Sequence, residues 1–361
     1  MFPDICVLFS TNAKTYNTCS MNHPLDVSNL RQMILESPNQ FAEGFKLAQG
    51  IQVPGTFHSI MISGMGGSAL PGNLFRIYLH DLFHQSSEGK VPLSIYQNRS
   101  YTLPPESFHH CLNFICSYSG NTEETIASFE EALRHKLPCI ALSAGGKIET
   151  MAKEYGVPHI KLPIPYDNFQ PRVGTGYFFG AMFQVLVNQG LVPDTTALLT
   201  EQAKQILAKR EELEEQGKML AKRLAGKTPV IYTTAKYKSV AMVWKIKLNE
   251  HAKTPAFWNF FPELNHNEMV GWTLPQGKFF VLMIRDVDTH SQNLKRIEIT
   301  AKLLRNKGVE VEILDMGGET VYERMFQSIL LGDFVAYYLA LEYGQDPTPV
   351  AMVEELKKLL N

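Results

Sequence analysis

The stretch Ile115-Cys116-Ser117-Tyr118-Ser119-Gly120-Asn121-Thr122-Glu123-Glu124-Thr125 closes an apolar run that begins at Asn113, then crowds hydroxyl and amide side chains around one glycine. From Thr122 to His135 the sequence carries a helical pattern. An apolar run of strand length that gives way to a helix is half of a strand–helix–strand unit. Ser117, Ser119, Asn121 and Thr122 therefore sit at a strand–helix junction, and two readings of them stay open. They cap the helix, with Asn121 and Glu124 as an N-x-x-E box contributing about 1 kcal/mol. Or they hold an anion, because a helix N-terminus offers unpaired N–H groups and the positive end of the helix dipole.

The same alternation extends in both directions. Ser59–Ser63 reads as a strand, followed by the cluster Gly64-Met65-Gly66-Gly67 and a helix from Ser68 to about His80. Strands are expected at Val91–Tyr96, Asn113–Cys116, Pro138–Leu142 and His159–Lys161, with a helix over Lys147–Tyr155. Pro163 to Gly176 is a proline- and glycine-rich loop, and Tyr177–Asn188 a closing helix. Asp194 then caps a long charged helix to about Leu224. The pattern restarts at Pro229 with strands Val230–Thr233, Phe279–Ile284 and Val309–Leu314, and helices Lys238–Glu250, Ser291–Asn306 and Val321–Tyr343. A short helix follows Pro349. The fold class is α/β: two units, each a parallel sheet with helices on both faces. The expected division is 1–190 with a helical lead-in, a linker helix at 191–226, and 227–361.

Bulk properties narrow the function. The 361 residues are 45% hydrophobic and 19% charged, a globular composition. With 34 basic and 36 acidic residues the net charge is −2, which gives no support to nucleic-acid binding or attraction to a membrane surface. No uninterrupted apolar run approaches the ~20 residues of a membrane span, and the N-terminus lacks a signal-peptide pattern. Cys6, Cys19, Cys111, Cys116 and Cys139 are odd in number and scattered, so a reducing cytoplasm is expected.

Gly64-Met65-Gly66-Gly67-Ser68-Ala69 formally satisfies the dinucleotide pattern G-x-G-x-x-[GA]. That pattern also asks for an acid at the end of the next strand, and here the strand ends in Gln97-Asn98-Arg99. Gly145-Gly146-Lys147 fails as a P-loop, since Ile148 stands where a hydroxyl would coordinate magnesium. A phosphate without a nucleotide fits better. Two glycine- or serine-rich turns then lie at the carboxyl ends of adjacent strands, where open α/β sheets bind ligands.

GMGGSALPG (64–72) followed by SYSGNTEET (117–125) resembles a sugar isomerase (SIS) domain. With QPRVGTGYFFG (170–180), KLNEHAKTPAFWNFFPELNHNE (247–268) and DPTPVAMVEELKKLL (346–360), the chain from Ser59 onward resembles the bifunctional phosphoglucose/phosphomannose isomerases, with two SIS units. The resemblance implies an aldose–ketose isomerase that interconverts glucose 6-phosphate or mannose 6-phosphate with fructose 6-phosphate through a cis-enediol. Such a reaction needs a ring opener, a carboxylate base and positive charge near the enediolate oxygen, and neither metal nor redox cofactor. A non-catalytic SIS module that senses a phosphosugar is the rival of another class. It requires the phosphate turn but not the catalytic groups.

The resemblance implies a phosphate site at Gly67, Ser68, Ser117, Ser119 and Thr122. Glu250 is the implied base; an acid at a helix C-terminus is disfavoured by the dipole, which invites a functional explanation. His251 beside it reads as a C-terminal cap. His266, sixteen positions after Glu250, matches the ring-opening histidine, which in the family comes from the partner subunit and so implies a homodimer with shared sites. Arg172 matches the enediolate-stabilising arginine, whose guanidinium can fork onto two oxygens; its bland alternative is a loop pair with Asp167. Lys357, with Lys358 beside it, matches the lysine that assists ring opening. Epimer preference is expected to depend on the surroundings of Thr348 and Val350. Phe257, Trp258, Phe260 and Phe261 read as aromatic burial at an interface rather than a cofactor-stacking box. A zinc site from His266 and Glu268 lacks further ligands at usable spacing.

Overall fold

Runs such as Ile60-Met61-Ile62 and the stretch Cys111–Cys116, buried at every position, make sense only in strands covered on both faces, as parallel sheets are. The computed structural model describes residues 23–85 and 93–360; Cys6, Cys19 and the expected strand start at Val91 lie outside them. Helices α1 (Leu30–Glu36) and α2 (Gln40–Leu47) lead in. The first sheet holds β1 (Ser59–Gly64), β2 (Ser94–Asn98), β3 (Cys111–Cys116), β4 (Cys139–Ser143) and β5 (His159–Lys161). It is crossed by α3 (Gly66–Gln85), α4 (Glu123–Arg134) and α5 (Gly146–Tyr155), and followed by α6 (Thr175–Asn188). Then come α7 (Thr196–Ala208) and α8 (Arg210–Leu224). The second sheet holds β6 (Thr228–Thr234), β7 (Phe257–Phe261), β8 (Phe279–Arg285) and β9 (Glu310–Asp315). Helix α9 (Lys238–Glu250) lies between β6 and β7, α10 (Glu268–Gly271) between β7 and β8, and α11 (Ser291–Arg305) between β8 and β9. Helices α12 (Val321–Glu342) and α13 (Ala351–Leu360) end the chain.

Both sheets are wholly parallel, ordered β2-β1-β3-β4-β5 and β7-β6-β8-β9. The expected α/β class therefore holds. In the first sheet the chain leaves β1 toward one edge and leaves β3 toward the other, so the crevice at their carboxyl ends is a switch point. Gly64 pairs with Cys116 there, which sets the two glycine- and serine-bearing turns side by side.

The two halves share one core. Phe41 and Phe179 from the first half pack on Tyr322 and Phe326 of α12, with Phe41 and Phe326 edge-to-face at 4.4 Å and Phe75 behind Phe179. Such pairs contribute ~1 kcal/mol beyond the area they bury. The lead-in is tied to the second half as well. Arg31 forks onto the buried Glu214 of α8, and Asp26 accepts from Tyr337 of α12.

Three expectations need correction. The long helix expected after Asp194 is two, broken at Lys209. Helix α7 packs against α2 as well as α12, while α8 lies along α12, so the chain bends between the two. The aromatic run Phe257–Phe261 is an edge strand, β7, paired with β6. Phe257 is 56% exposed on it, and Trp258 lines an apolar groove of about 530 Å³ with Trp272 and Leu274. Strand β2 begins at Ser94 and runs to Asn98, two residues beyond its expected end. Among the described residues no helix is long and apolar enough to cross a membrane.

Candidate active site

The turn after β3 is built on Ser117. Its buried hydroxyl receives the Gly120 N–H at 3.1 Å and lies 2.7 Å from the Thr122 hydroxyl. Gly120 turns the chain at φ +71°, and a Cβ there would lie 1.7 Å from the Gly145 carbonyl oxygen, so only glycine fits. Ser68, in the first turn of α3, accepts the Tyr118 N–H at 3.1 Å and joins the two turns. Ser119 is exposed beside them. The Asn121–Glu124 capping box does not form. Thr122 is the N-cap of α4, without a side-chain cap, and the Asn121 amide oxygen accepts from Lys147 N–H at the start of α5. The packed β4–α5 turn competes successfully for that side chain.

Gly67 carries the second contact of this region. A Cβ on it would come within 3.3 Å of Arg172 Cα, so the glycine lets the β1–α3 turn lie against the loop that bears Arg172. That loop is held by Tyr118, whose ring lies tilted against Phe169 with centroids 5.4 Å apart and whose hydroxyl donates to the Pro163 carbonyl. The expected phosphate residues and Arg172 are thus neighbours, although they come from three separate segments.

Arg172 is 8% exposed, and its guanidinium is nearly used up. Nε donates to His251 Nδ1 at 3.2 Å and Nη1 to Gln170 at 2.9 Å. Nη2 donates to the carbonyls of Pro347 at 3.1 Å and Thr348 at 2.7 Å. Four of the five N–H groups of a guanidinium are so engaged. The expected two-pronged fork onto substrate is therefore not available; Arg172 is a fixed charge with a single uncommitted Nη1 hydrogen. Burial lowers its pKa, against the pull of Glu250, Asp333 and Asp346. The bland pairing with Asp167 does not occur; the acid nearest the guanidinium is Glu250, with Oε2 3.7 Å from Nε.

Glu250 is the last residue of α9, and its carboxylate is about one-third exposed. His251 is the C-cap residue of α9, its N–H bonded to the Lys247 carbonyl at 2.8 Å, but its fully buried side chain turns inward: Nε2 lies 3.2 Å from the Asp333 carboxylate of α12. Lys247, one turn back on α9, also pairs with Asp333 at 2.8 Å and donates to the Arg172 carbonyl at 2.7 Å. Burial raises the Asp333 carboxyl, but Lys247 and His251 together more than offset this and keep it below its ordinary value. Burial drives the imidazole of His251 down to about 3.

Sequence reasoning missed Asp333, Lys247 and Lys253. Lys253 follows Glu250 by three positions, and burial, then the nearby Arg172 charge, lowers its ammonium to about 8. Its left-handed φ of +56° was the available signal only after folding. Two expected residues stand apart. His266 is exposed on the turn after β7, without a hydrogen bond or ion pair to Glu250. Asn265 does not hold it, being engaged with Thr300 and Arg296, and Glu268 is taken by Tyr232 and Asn259. Lys357 lies on α13, whose ten residues are all exposed, and pairs with Glu354 at 3.0 Å.

Residues 213–360 match the family described as the bacterial phospho-glucose isomerase C-terminal SIS domain. The bifunctional phosphoglucose/phosphomannose isomerase of Caldicellulosiruptor bescii is 34% identical over 91% of this chain and 98% of its own length. That of Aquifex aeolicus is 34% identical over 84% and 91%. Among solved structures, tagatose-6-phosphate ketose/aldose isomerase from Escherichia coli superposes with a TM-score of 0.64 at 14% identity, over 88% of this chain and 93% of that one.

Proposed function

The chain belongs to the bifunctional phosphoglucose/phosphomannose isomerase family, and from that membership we propose that it interconverts glucose 6-phosphate and mannose 6-phosphate with fructose 6-phosphate. One observation carries the assignment to these residues. The Arg172 charge lies 3.7 Å from the Glu250 carboxylate, beside the Gly67–Ser68 and Ser117–Thr122 turns. Phosphate is bound by the hydroxyls of Ser68, Ser117, Ser119 and Thr122 with the backbone at Gly67. The α4 N-terminus, free of a side-chain cap, adds its dipole.

Glu250 removes the proton at C2 of the open-chain aldose and returns it at C1, so one carboxylate serves both carbons. As the enediolate forms, negative charge grows on its oxygen, and the fixed Arg172 charge stabilises it with no reorganisation. His266 opens the ring from the partner protomer of a homodimer, and Lys357 assists. The exposure of His266 leaves it open to a partner protomer. A reducing compartment such as the cytoplasm suits the buried free thiols of Cys111, Cys116 and Cys139.

Coupled assays with each hexose 6-phosphate, on the intact chain and on Glu250→Gln, test the reading. The substitution keeps shape and removes basicity, so kcat should fall at least ~100-fold and exchange of the C2 proton with solvent should stop. Near wild-type turnover in Glu250→Gln excludes it as the base. Phosphosugar binding without turnover by the intact protein would favour a sensor instead.

A further inference from the structure

We infer that His251 is the positioning residue of Arg172, holding its guanidinium off Glu250 so that the carboxylate stays basic; this rests on the roles proposed for Arg172 and Glu250. Arg172 Nε can only donate, so the Nδ1 it reaches at 3.2 Å must be bare. The imidazole proton is then on Nε2, where it is donated to Asp333 at 3.2 Å. Both ring nitrogens are committed and the residue is fully buried, which leaves His251 no direct part in proton transfer to substrate.

The consequence lies in the alternative partner. Glu250 Oε2 is 3.7 Å from the same Nε, beyond hydrogen-bond range but a short rotation away. By accepting the Nε–H, His251 keeps Arg172 from closing that gap. A closed Arg172–Glu250 ion pair would favour the ionised carboxylate and make it a poorer base. The remaining charged groups around the three residues are Lys247 on α9, Asp333 on α12, Lys253, and Asp346 next to Pro347. Lys247 satisfies Asp333 independently, so the carboxylate keeps a partner when the imidazole is removed. Because His251 follows Glu250 in the chain, one helix end sets both the base and the distance of the charge that assists it.

Three variants separate this role from simple packing. His251→Leu removes the acceptor, and kcat for glucose 6-phosphate should fall about tenfold or more. KM should stay within about twofold. The acid limb of kcat/KM should move down by about one pH unit, as Glu250 gains a direct ion pair. His251→Asn places an amide oxygen near the Nδ1 position and should restore most of kcat and return the limb. A purely structural role predicts lower melting temperatures in both variants with neither limb displaced, and that result overturns the inference. Arg172→Met distinguishes the levels: unchanged kcat there removes the role of Arg172 itself. Reduced kcat in Arg172→Met beside unaffected His251→Leu removes only that of His251. Ring ¹⁵N spectra of the unsubstituted protein supply a check that needs no variant. A pH-invariant Nε2–H tautomer from about pH 5 to 9 is expected, and an Nδ1–H tautomer or titration near the ordinary histidine value overturns the inference.

Discussion

Lys253 donates to the main-chain carbonyl of Glu250 at 2.5 Å and to that of Pro347 at 3.0 Å. The Glu250 carbonyl is one of the last four of α9, which the helix leaves without a donor of its own. Pro347 also receives Arg172. Two cations thus pin the segment that leads into α13 onto the end of the helix that bears the proposed base.

The state of Lys253 gives the first prediction. Burial and the Arg172 charge bring its ammonium down to about 8, so it is charged below that pH and loses its charge above it. The kcat/KM profile should therefore fall through an alkaline limb near that value. Lys253→Arg, which stays charged to about pH 12, should carry the limb upward, and Lys253→Met should lower activity across the range. A limb unmoved in Lys253→Arg assigns it to another group.

The hydroxyl turn gives the second. Ser119→Ala with Thr122→Ala removes proposed phosphate contacts and the 2.7 Å bond between Ser117 and Thr122. KM for glucose 6-phosphate should rise about tenfold, the effect of losing one or two hydrogen bonds to a charged group. Unchanged KM with a lowered melting temperature would give the hydroxyls a structural role only.

Assembly gives the third. If His266 of one protomer serves Glu250 of the other, Glu250→Gln and His266→Ala homodimers are each impaired, while a mixed dimer holds one complete site. Co-refolding equal amounts should restore roughly a quarter of wild-type activity, given random exchange of a two-fold dimer. Verified mixed dimers without rescue would show that both groups act within one chain.

Acid stability gives the fourth. His251 is held near 3 in the folded protein against 6.5 for the ordinary residue, with Arg172, Asp333 and Lys247 facing it. The unfolded chain therefore binds more protons between these values. The stabilisation is complete above 6.5 and is lost as pH falls toward 3, at about 1.4 kcal/mol per pH unit from this one group. Denaturant unfolding of His251→Asn between about pH 6.5 and 4 should show a shallower slope than the parent. Equal slopes would mean that the imidazole is not held neutral.

The sequence by itself determined the α/β class, because buried parallel strands need unbroken apolar runs and their crossovers need helical periodicity, and both are local patterns. It also located the turns around Gly67 and Ser117, since glycine and hydroxyl residues between a strand and a helix are legible from neighbours alone. The capping reading of Asn121 fails for the complementary reason: its partner, Lys147 N–H, comes from the next turn of the folded sheet. The aromatic run at Phe257 did not announce a strand, because an edge strand that is partly exposed lacks the continuous apolar signal. What only the tertiary structure decided is how Arg172 spends its donors. His251 and Pro347 lie 79 and 175 positions away from it, and Asp333 lies 82 positions from His251. Hydrogen-bond geometry fixed by packing between four segments leaves no mark on the local pattern of any one of them.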